Sequence, residues 1–255
     1  MRAPQQWLQR QELFFEPREI SVHCDTSCVA NDDTPPRHCI LLHGWNSPSW
    51  YMDNIGDTLR TLPQAAGWHF WSVNYKTHWR SFADSARDIG AAMREQPHDF
   101  SHTIFVGFSM GGLVARQMVS DGFPCHALVT ICTPHEGAAR WVPPHSPGTW
   151  ALSRWSTHLR ALNTNEADKA CRSRYHFFAV TYRDRLGYHD DDSIVTARSA
   201  LGASLGPVAQ RKKIQLNYGQ ELGRRILGSP HARGMNPRLL KPVFDTCADI
   251  FAACD

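Results

Sequence analysis

Residues 103–118 read TIFVGFSMGGLVARQM. The first four are apolar and favour a buried strand, whereas Leu113, Val114 and Met118 recur at helical spacing. The pentapeptide GFSMG lies between them, with Ser109 at its centre. So sharp a turn needs glycine at both ends, because a Cβ atom there would collide with the strand or with the start of the helix. The stretch is typical of a nucleophile elbow, which lifts a serine hydroxyl out of a sheet.

Short apolar runs alternate with helical patterns along the rest of the chain. Ser81 is a predicted cap for an amphipathic helix, and Pro242 is the predicted start of a last helix. Such alternation predicts a mostly parallel central sheet flanked by helices on both faces. The length of 255 residues and the apolar content of 42% suit one large α/β domain over residues 1–255. The predicted strands are residues 19–24, 38–42, 69–75, 103–108, 127–132, 175–181 and 213–218.

Charge and hydropathy limit the partners that we expect. The formal net charge is only +3, and basic residues cluster only at 211–213 and 224–225, which predicts no nucleic-acid partner. Polar residues interrupt the apolar ones in residues 1–15, so no signal peptide is recognisable. No run of 18 apolar residues exists to span a membrane. We therefore expect a cytoplasmic protein.

The eight cysteines are scattered, and Cys39, Cys125 and Cys132 lie in or beside predicted core strands. We expect most of them to be reduced, buried thiols. Cys24 and Cys28 are an alternative metal or redox pair, but no second pair at zinc-ligand spacing accompanies them.

A second constellation follows the predicted strand 38–42, where apolar residues run directly into His43 and Gly44. Backbone N–H groups at such a strand end are fixed in advance, which suits them to stabilise the oxyanion formed in acyl transfer. We assign this function to the main-chain N–H groups of Trp45 and Met110. The alternative is a turn rich in Asn, Ser and Pro that binds nothing.

A serine hydroxyl needs a base within hydrogen-bond reach, and the base needs a carboxylate. The expected chain order is serine, then acid, then histidine. His176, His189 and His231 lie well beyond Ser109, and His231 follows the last predicted strand in a loop rich in Gly, Ser and Pro. We predict His231 as the general base.

Four aspartates lie in the right interval for the acid: Asp184, Asp190, Asp191 and Asp192. Position alone does not choose among them. The three adjacent carboxylates are also compatible with a solvated acidic turn or, together with His189, a divalent-cation site.

Four segments together resemble the α/β-hydrolase superfamily, specifically its bacterial triacylglycerol-lipase-like branch: GFSMGG, the strand before HGW, TICTPHEG at 130–137 and DSIVTARSA at 192–200. The resemblance covers residues 37–247 and implies a single-domain α/β-hydrolase fold. It also implies that Asp192, directly before Ser-Ile-Val, is the triad acid, and it agrees with His231 as the base. Some relatives carry a calcium-binding aspartate beside that histidine, whereas Ala232 and Arg233 follow here, which argues against structural calcium.

The same resemblance implies a cap or lid insertion at 136–165, after the sixth strand of that fold. Trp141, Trp150 and Trp155 lie in it, while Trp45 and Trp50 lie on the predicted oxyanion loop. We expect the mouth of the site to offer apolar walls for acyl chains. Transient contact with a lipid interface is compatible with this expectation. Alternatively, these indoles bury the insertion against the body of the domain.

The sequence thus predicts a lipase- or esterase-like serine hydrolase that cleaves carboxylic esters through Ser109, His231 and Asp192. The chemistry needs neither a cofactor nor a metal. An acyltransferase or an amidase would use the same residues. A hydrolase scaffold that only binds a partner is the alternative from another class, because a fold does not itself confer chemistry.

Overall fold

The computed structural model describes residues 19–25, 36–47, 49–138, 145–184, 186–217, 231 and 236–254. Several sequence predictions lie outside these ranges: those for residues 1–15, Cys28, Trp141, Tyr218, Ala232 and Arg233.

A single sheet runs through the described part of the chain. Its strands are β1 (Ser21–Asp25), β2 (Arg37–Leu42), β3 (Trp68–Asn74), β4 (His102–Phe108), β5 (Ala127–Ile131), β6 (Tyr175–Asp184), β7 (Gly187–His189) and β8 (Gln210–Asn217). Their order is β1-β3-β2-β4-β5-β6-β7, and β8 also pairs with β6. Only β1 with β3 and β7 with β6 are antiparallel, so the predicted mostly parallel sheet is confirmed.

Helices cover both faces of this sheet. They are α1 (Trp50–Arg60), α2 (Phe82–Arg94), α3 (Met110–Ser120), α4 (Pro147–Ala151), α5 (Thr157–Thr164), α6 (Glu166–Cys171), α7 (Ala197–Ala200) and α8 (Lys241–Ala252). The Ser81 hydroxyl accepts the N–H of Asp84 at 3.1 Å and caps α2, as predicted. Pro242 lies in the first turn of α8, also as predicted. Among the described helices, none has both the length and the apolar composition needed to cross a bilayer.

The core is divided by the sheet into two apolar clusters. Successive side chains of a strand point to opposite faces, and in β2 Ile40 and Leu42 join one cluster while Cys39 and Leu41 join the other. The first cluster is covered by α2 and α3, and the second by α1 and α8. A fully buried large apolar side chain contributes about 1.5–3 kcal/mol, so both faces stabilise the position of the strand ends between them.

Two details of the sheet differ from the sequence prediction. β8 begins at Gln210 rather than at 213, and the short β7 was not predicted. Residues 136–165, the segment predicted as an insertion, follow β5, which is the fifth of the described strands.

The described part of the insertion lies against the loop that follows β3. A Cβ atom on Gly148 of α4 would come within 1.8 Å of the Thr77 carbonyl oxygen, so α4 touches that loop backbone to backbone. Ala138 and Ser153 form a bridge that joins the two ends of the described insertion loop. The described part of this segment therefore lies near the carboxyl end of β3.

Candidate active site

Ser109 lies between β4 and α3 in a conformation that few non-glycine residues adopt, with φ of 52° and ψ of −122°. The glycines two positions before and after it cannot be replaced by residues with a side chain. A Cβ atom on Gly107 would lie 2.6 Å from the Gly112 Cα, and one on Gly111 would lie 2.2 Å from the Leu42 carbonyl oxygen. Because backbone atoms cannot yield as a flexible side chain does, the glycine requirement read from the sequence is confirmed. The strained turn directs the serine away from the sheet.

His231 bridges Ser109 and Asp192. Its Nδ1 lies 2.7 Å from Oδ2 of Asp192, and its Nε2 lies 2.9 Å from Oγ of Ser109. A carboxylate only accepts, so Nδ1 carries the proton and Nε2 is free to accept the serine hydroxyl. All three residues are buried. The arrangement has the geometry of a nucleophile, a base and a group that orients the base.

Local backbone bonds fix the Asp192 carboxylate. Oδ1 accepts the N–H groups of Ile194 at 3.0 Å and of Val195 at 2.7 Å. Ser193 has a φ of 77°, which turns the chain back so that both amides reach the carboxylate. Oδ2 is thereby left for His231.

The other sequence candidates for the acid pair elsewhere. Asp184 lies 3.1 Å from His189, Asp190 lies 2.6 Å from the Lys213 ammonium, and Asp191 accepts the N–H of Ser193 at 2.7 Å.

The remaining candidate base, His176, lies on β6 with Nδ1 3.4 Å from the Gln210 side chain. Of the candidates left open by position, Asp192 and His231 are thus the two that meet at Ser109.

His43 and Tyr75 hold the loop that passes Ser109. The Tyr75 N–H donates to Nε2 of His43 at 3.3 Å, so Nδ1 carries the proton and donates to the Gly44 carbonyl at 2.9 Å. The Tyr75 hydroxyl donates to the His43 carbonyl. Burial lowers the pKa of His43 to about 4, which keeps this imidazole neutral. A Cβ atom on Gly44 would lie 3.1 Å from the Ser109 Cβ, so the loop backbone runs directly beside the serine.

The two predicted oxyanion donors start from fixed backbone positions. Met110 is the first residue of α3, and first-turn N–H groups have no acceptor within their own helix. Trp45 is followed by Asn46, whose N–H donates to the Thr77 hydroxyl at 2.9 Å. This bond holds the loop after Trp45 to the loop after β3.

The tryptophans predicted at the mouth have different surroundings. The Trp45 ring lies 6.0 Å from the ring of His145, which belongs to the insertion. Trp150 and Trp155 are 50% and 57% exposed, so these two indoles do not simply bury the insertion. Trp50 is partly buried at the start of α1.

A buried ionic network lies behind the elbow, on α3 and the segment after the insertion. Nε and Nη2 of Arg116 donate to both carboxylate oxygens of Asp168 at 3.0 and 2.7 Å. Arg172 donates to the same carboxylate at 2.9 Å, and the Tyr175 hydroxyl does so at 3.2 Å. Asp168 and Arg116 are fully buried. No local pattern of the sequence indicates this network, although it ties the elbow helix to α6.

His135, in the TICTPHEG segment, completes the network. A guanidinium group only donates, so Nδ1 of His135 must accept from Arg116 at 3.2 Å, and Nε2–H must donate to the Thr130 hydroxyl at 3.0 Å. Burial and the nearby arginine charges hold the pKa of His135 well below its usual range. This neutral histidine therefore belongs to the buried network and has a structural role.

A mostly parallel sheet with helices on both faces and a serine at a strand-to-helix turn defines the α/β-hydrolase class of fold. The sequence profile of the alpha/beta hydrolase family matches residues 39–240. The chain belongs to this family. Among curated proteins, no sequence matches the chain closely enough to count as a relative.

Solved structures with this fold include lipases and an esterase. The mature form of Bacillus licheniformis lipase BlEst2 matches with a TM-score of 0.60 at 14% identity, over 89% of this chain and 98% of that chain. Aspergillus fumigatus lipase B matches with a TM-score of 0.53 at 14% identity, over 89% of this chain and 55% of that chain. A ferulic acid esterase gives a TM-score of 0.52 at 14% identity, over 91% of this chain and 98% of that chain. At such identities the likeness establishes the shared fold.

Proposed function

We propose that this protein is a lipase- or esterase-like serine hydrolase that cleaves carboxylic esters through an acyl-enzyme intermediate. One observation carries the proposal: His231 bridges Ser109 at 2.9 Å and Asp192 at 2.7 Å. The strained Ser109 backbone and the close glycine contacts support it, because strain of this kind is maintained where a side chain must be presented.

In the first half of the reaction, the Ser109 oxygen attacks the ester carbonyl while His231 accepts the hydroxyl proton at Nε2. Asp192 stabilises the resulting imidazolium through its bond to Nδ1. His231 then returns the proton to the departing alkoxide, so the alcohol leaves neutral. In the second half, His231 activates a water molecule that attacks the acyl-enzyme, and Ser109 regains its proton.

The negative oxygen of each tetrahedral intermediate is held by the main-chain N–H groups of Trp45 and Met110. Both donors are fixed before the substrate arrives, which is what makes electrostatic stabilisation effective. The bonds of His43 and Tyr75 support the first donor by holding the loop at Gly44. Changing the Trp45 side chain should therefore matter less than moving this backbone.

The substrate that we propose is an uncharged ester with an apolar acyl or alcohol portion. The partly exposed Trp150 and Trp155, together with Trp45 beside the insertion, support an aromatic cleft wall. Two lipases and a ferulic acid esterase share the fold, which agrees with this substrate class. We propose residues 136–165 as the cap over this cleft.

A chain-length series of p-nitrophenyl esters tests the proposal. We expect Ser109→Ala to lower kcat/KM by about 10⁴-fold or more, in line with the removal of nucleophiles from other triads, and to lose labelling by a fluorophosphonate. Ser101→Ala is the matched control, because Ser101 is exposed on the loop before β4. Wild-type turnover by Ser109→Ala would contradict the nucleophile. Serine-dependent labelling without turnover of any ester would instead contradict the ester substrate.

A further inference from the structure

Cys132 lies directly after β5 in a backbone conformation that favours glycine. Its φ is 54°, and its side chain is fully buried. Its N–H donates to the Phe178 carbonyl on β6 at 2.9 Å, so this conformation is held by the sheet edge. A non-glycine residue with positive φ carries a conformational cost, and such outliers cluster where a side chain has a function.

The thiol of Cys132 lies beside the carboxylate of Asp192. The sulfur, a carboxylate oxygen of Asp192 and a ring nitrogen of His231 all lie within 4.8 Å of one another. An ionised carboxylate has no proton to give, so in a hydrogen bond between these two groups the S–H is the donor.

The environment of Cys132 keeps its thiol protonated, so that the S–H is available as a hydrogen-bond donor. Burial, reinforced by the negative charge of Asp192, raises the pKa of Cys132 well above its usual range. The S–H is therefore retained at every pH at which an esterase is normally assayed. Such a thiol is not a nucleophile, so the role open to it is to donate a hydrogen bond to the neighbouring carboxylate.

We propose that Cys132 is a positioning residue of the hydrolase site, acting by donating its thiol proton to the carboxylate of Asp192. The inference rests on the proposed function, since it assigns a role to a neighbour of the triad. With the amides of Ile194 and Val195, the thiol completes a set of donors that fixes the plane of the carboxylate. It also draws off part of the carboxylate charge, which limits how strongly Asp192 retains a proton on His231.

Three substitutions separate these effects. Cys132→Ser keeps a donor, Cys132→Ala removes it, and Cys132→Gly removes it while also relieving the left-handed backbone. We expect the Ala and Gly variants to lower kcat about three- to tenfold with KM little changed. We also expect the acid limb of their kcat/KM profiles to move up by about half a pH unit, as loss of a weak donor implies. The Ser variant should stay close to wild type in both measurements.

Cys39→Ala is the matched control. Cys39 is another fully buried thiol of the same apolar cluster, but it lies within β2. It should lose comparable packing while leaving the acid limb unmoved. An Ala or Gly variant of Cys132 with a wild-type acid limb and wild-type kcat would overturn the proposal.

A second measurement does not depend on turnover. The proton shared by His231 and Asp192 should give a far-downfield ¹H NMR resonance, whose pH midpoint can be followed in an otherwise inactive Ser109→Ala protein. We expect Cys132→Ala to move that midpoint upward and Cys132→Ser to leave it in place. If the midpoint shifts as expected but no ester is turned over, the positioning role of Cys132 is supported and the proposed ester substrate is contradicted. If esters are turned over but the midpoint does not change in Cys132→Ala, only the positioning role is contradicted.

Discussion

Asp168 and Asp192 are both fully buried, yet they are surrounded by different partners. Asp168 receives two guanidinium groups, from Arg116 and Arg172. Asp192 receives two backbone amides and the imidazole of His231, and the sulfur of Cys132 lies within 4.8 Å of its carboxylate. Both carboxylates are satisfied by hydrogen bonds, which a buried charge requires. They differ in whether the countercharge is always present.

Arginine stays protonated in proteins, so Asp168 has a permanent countercharge. The amides and the thiol around Asp192 are neutral, and only His231 is able to supply a full positive charge opposite it. A site of the first kind gains nothing from a proton that comes and goes. In the proposed mechanism, a site of the second kind becomes more favourable when the imidazole takes a proton from Ser109. Asp168 is thus placed to stabilise the fold, whereas we propose that Asp192 takes part in the reaction.

The largest expected effect is on activity and comes from Asp192→Asn. The side-chain amide has the shape of the carboxylate but not its charge, so it favours the wrong tautomer of His231. We expect kcat to fall about 10⁴-fold, as in other triads changed in this way, while the thermal midpoint changes little. The measurement is ester turnover together with a thermal melt, and Asp190→Asn, which alters an acid paired with Lys213, is the control. Near-wild-type turnover by Asp192→Asn would remove the distinction between the two aspartates.

The next effect is on stability and comes from Asp168→Asn. Removal of this charge leaves Arg116 and Arg172 beside a neutral group in the interior, and breaking a buried pair in this way costs about 3–5 kcal/mol. Urea denaturation should show the loss, whereas kcat per folded molecule should remain within about threefold of wild type. Glu166→Gln is the control, because Glu166 is an exposed acid on the same helix paired with Lys169. Its cost should be below about 1 kcal/mol. An unchanged urea midpoint in Asp168→Asn would contradict the structural role.

The sequence predicted the elbow and the mostly parallel sheet because both follow from local patterns of apolar residues and glycines. Ser109 lies between an apolar strand and a helical pattern, and the two glycines are required by contacts within the same turn and the neighbouring strand. The acid was different. Residues 190–192 are consecutive in an irregular loop, and the turn at Ser193, with φ of 77°, decides which carboxylate faces inward. Only the family resemblance singled out Asp192 beforehand.

The network around Asp168 could not be found in this way. Arg116 lies 52 positions from Asp168 in the chain, and a lone arginine in a helical pattern normally indicates a solvent-facing position. Its burial results from packing of α3 against α6, which depends on tertiary structure. Cys132 was correctly expected to be buried, but its contact with Asp192 depends on a left-handed residue that no local pattern in TICTPHEG predicts. The three-residue β7 is too short to leave a periodic signal.

The smallest expected effect is on the pH dependence of stability, and it extends the comparison of buried charged groups from aspartate to histidine. His38 on β2 is fully buried, like the aspartates, but its ring has neutral partners on both sides. The Trp71 indole donates to Nδ1 at 2.9 Å, so Nε2 carries the proton and donates to the Asp99 carbonyl at 2.9 Å. Burial, reinforced by the neighbouring His69, lowers the pKa of His38 from 6.5 to about 4. His231, in contrast, faces a carboxylate.

The sign of the resulting pH dependence follows from this lowered pKa. Between pH 6.5 and about 4 the unfolded chain protonates this imidazole while the folded chain does not, so acid favours unfolding. The contribution of His38 is fully present above pH 6.5 and is lost as the pH falls toward 4. We expect His38→Gln to reduce the slope of unfolding free energy against pH in this window by up to about 1.4 kcal/mol per pH unit. His158→Gln, at an exposed position, should leave the slope unchanged. All other histidines are identical in the wild type and in His38→Gln, so the difference between the two slopes reports His38 alone. Equal slopes would mean that a buried imidazole without a countercharge costs nothing to protonate.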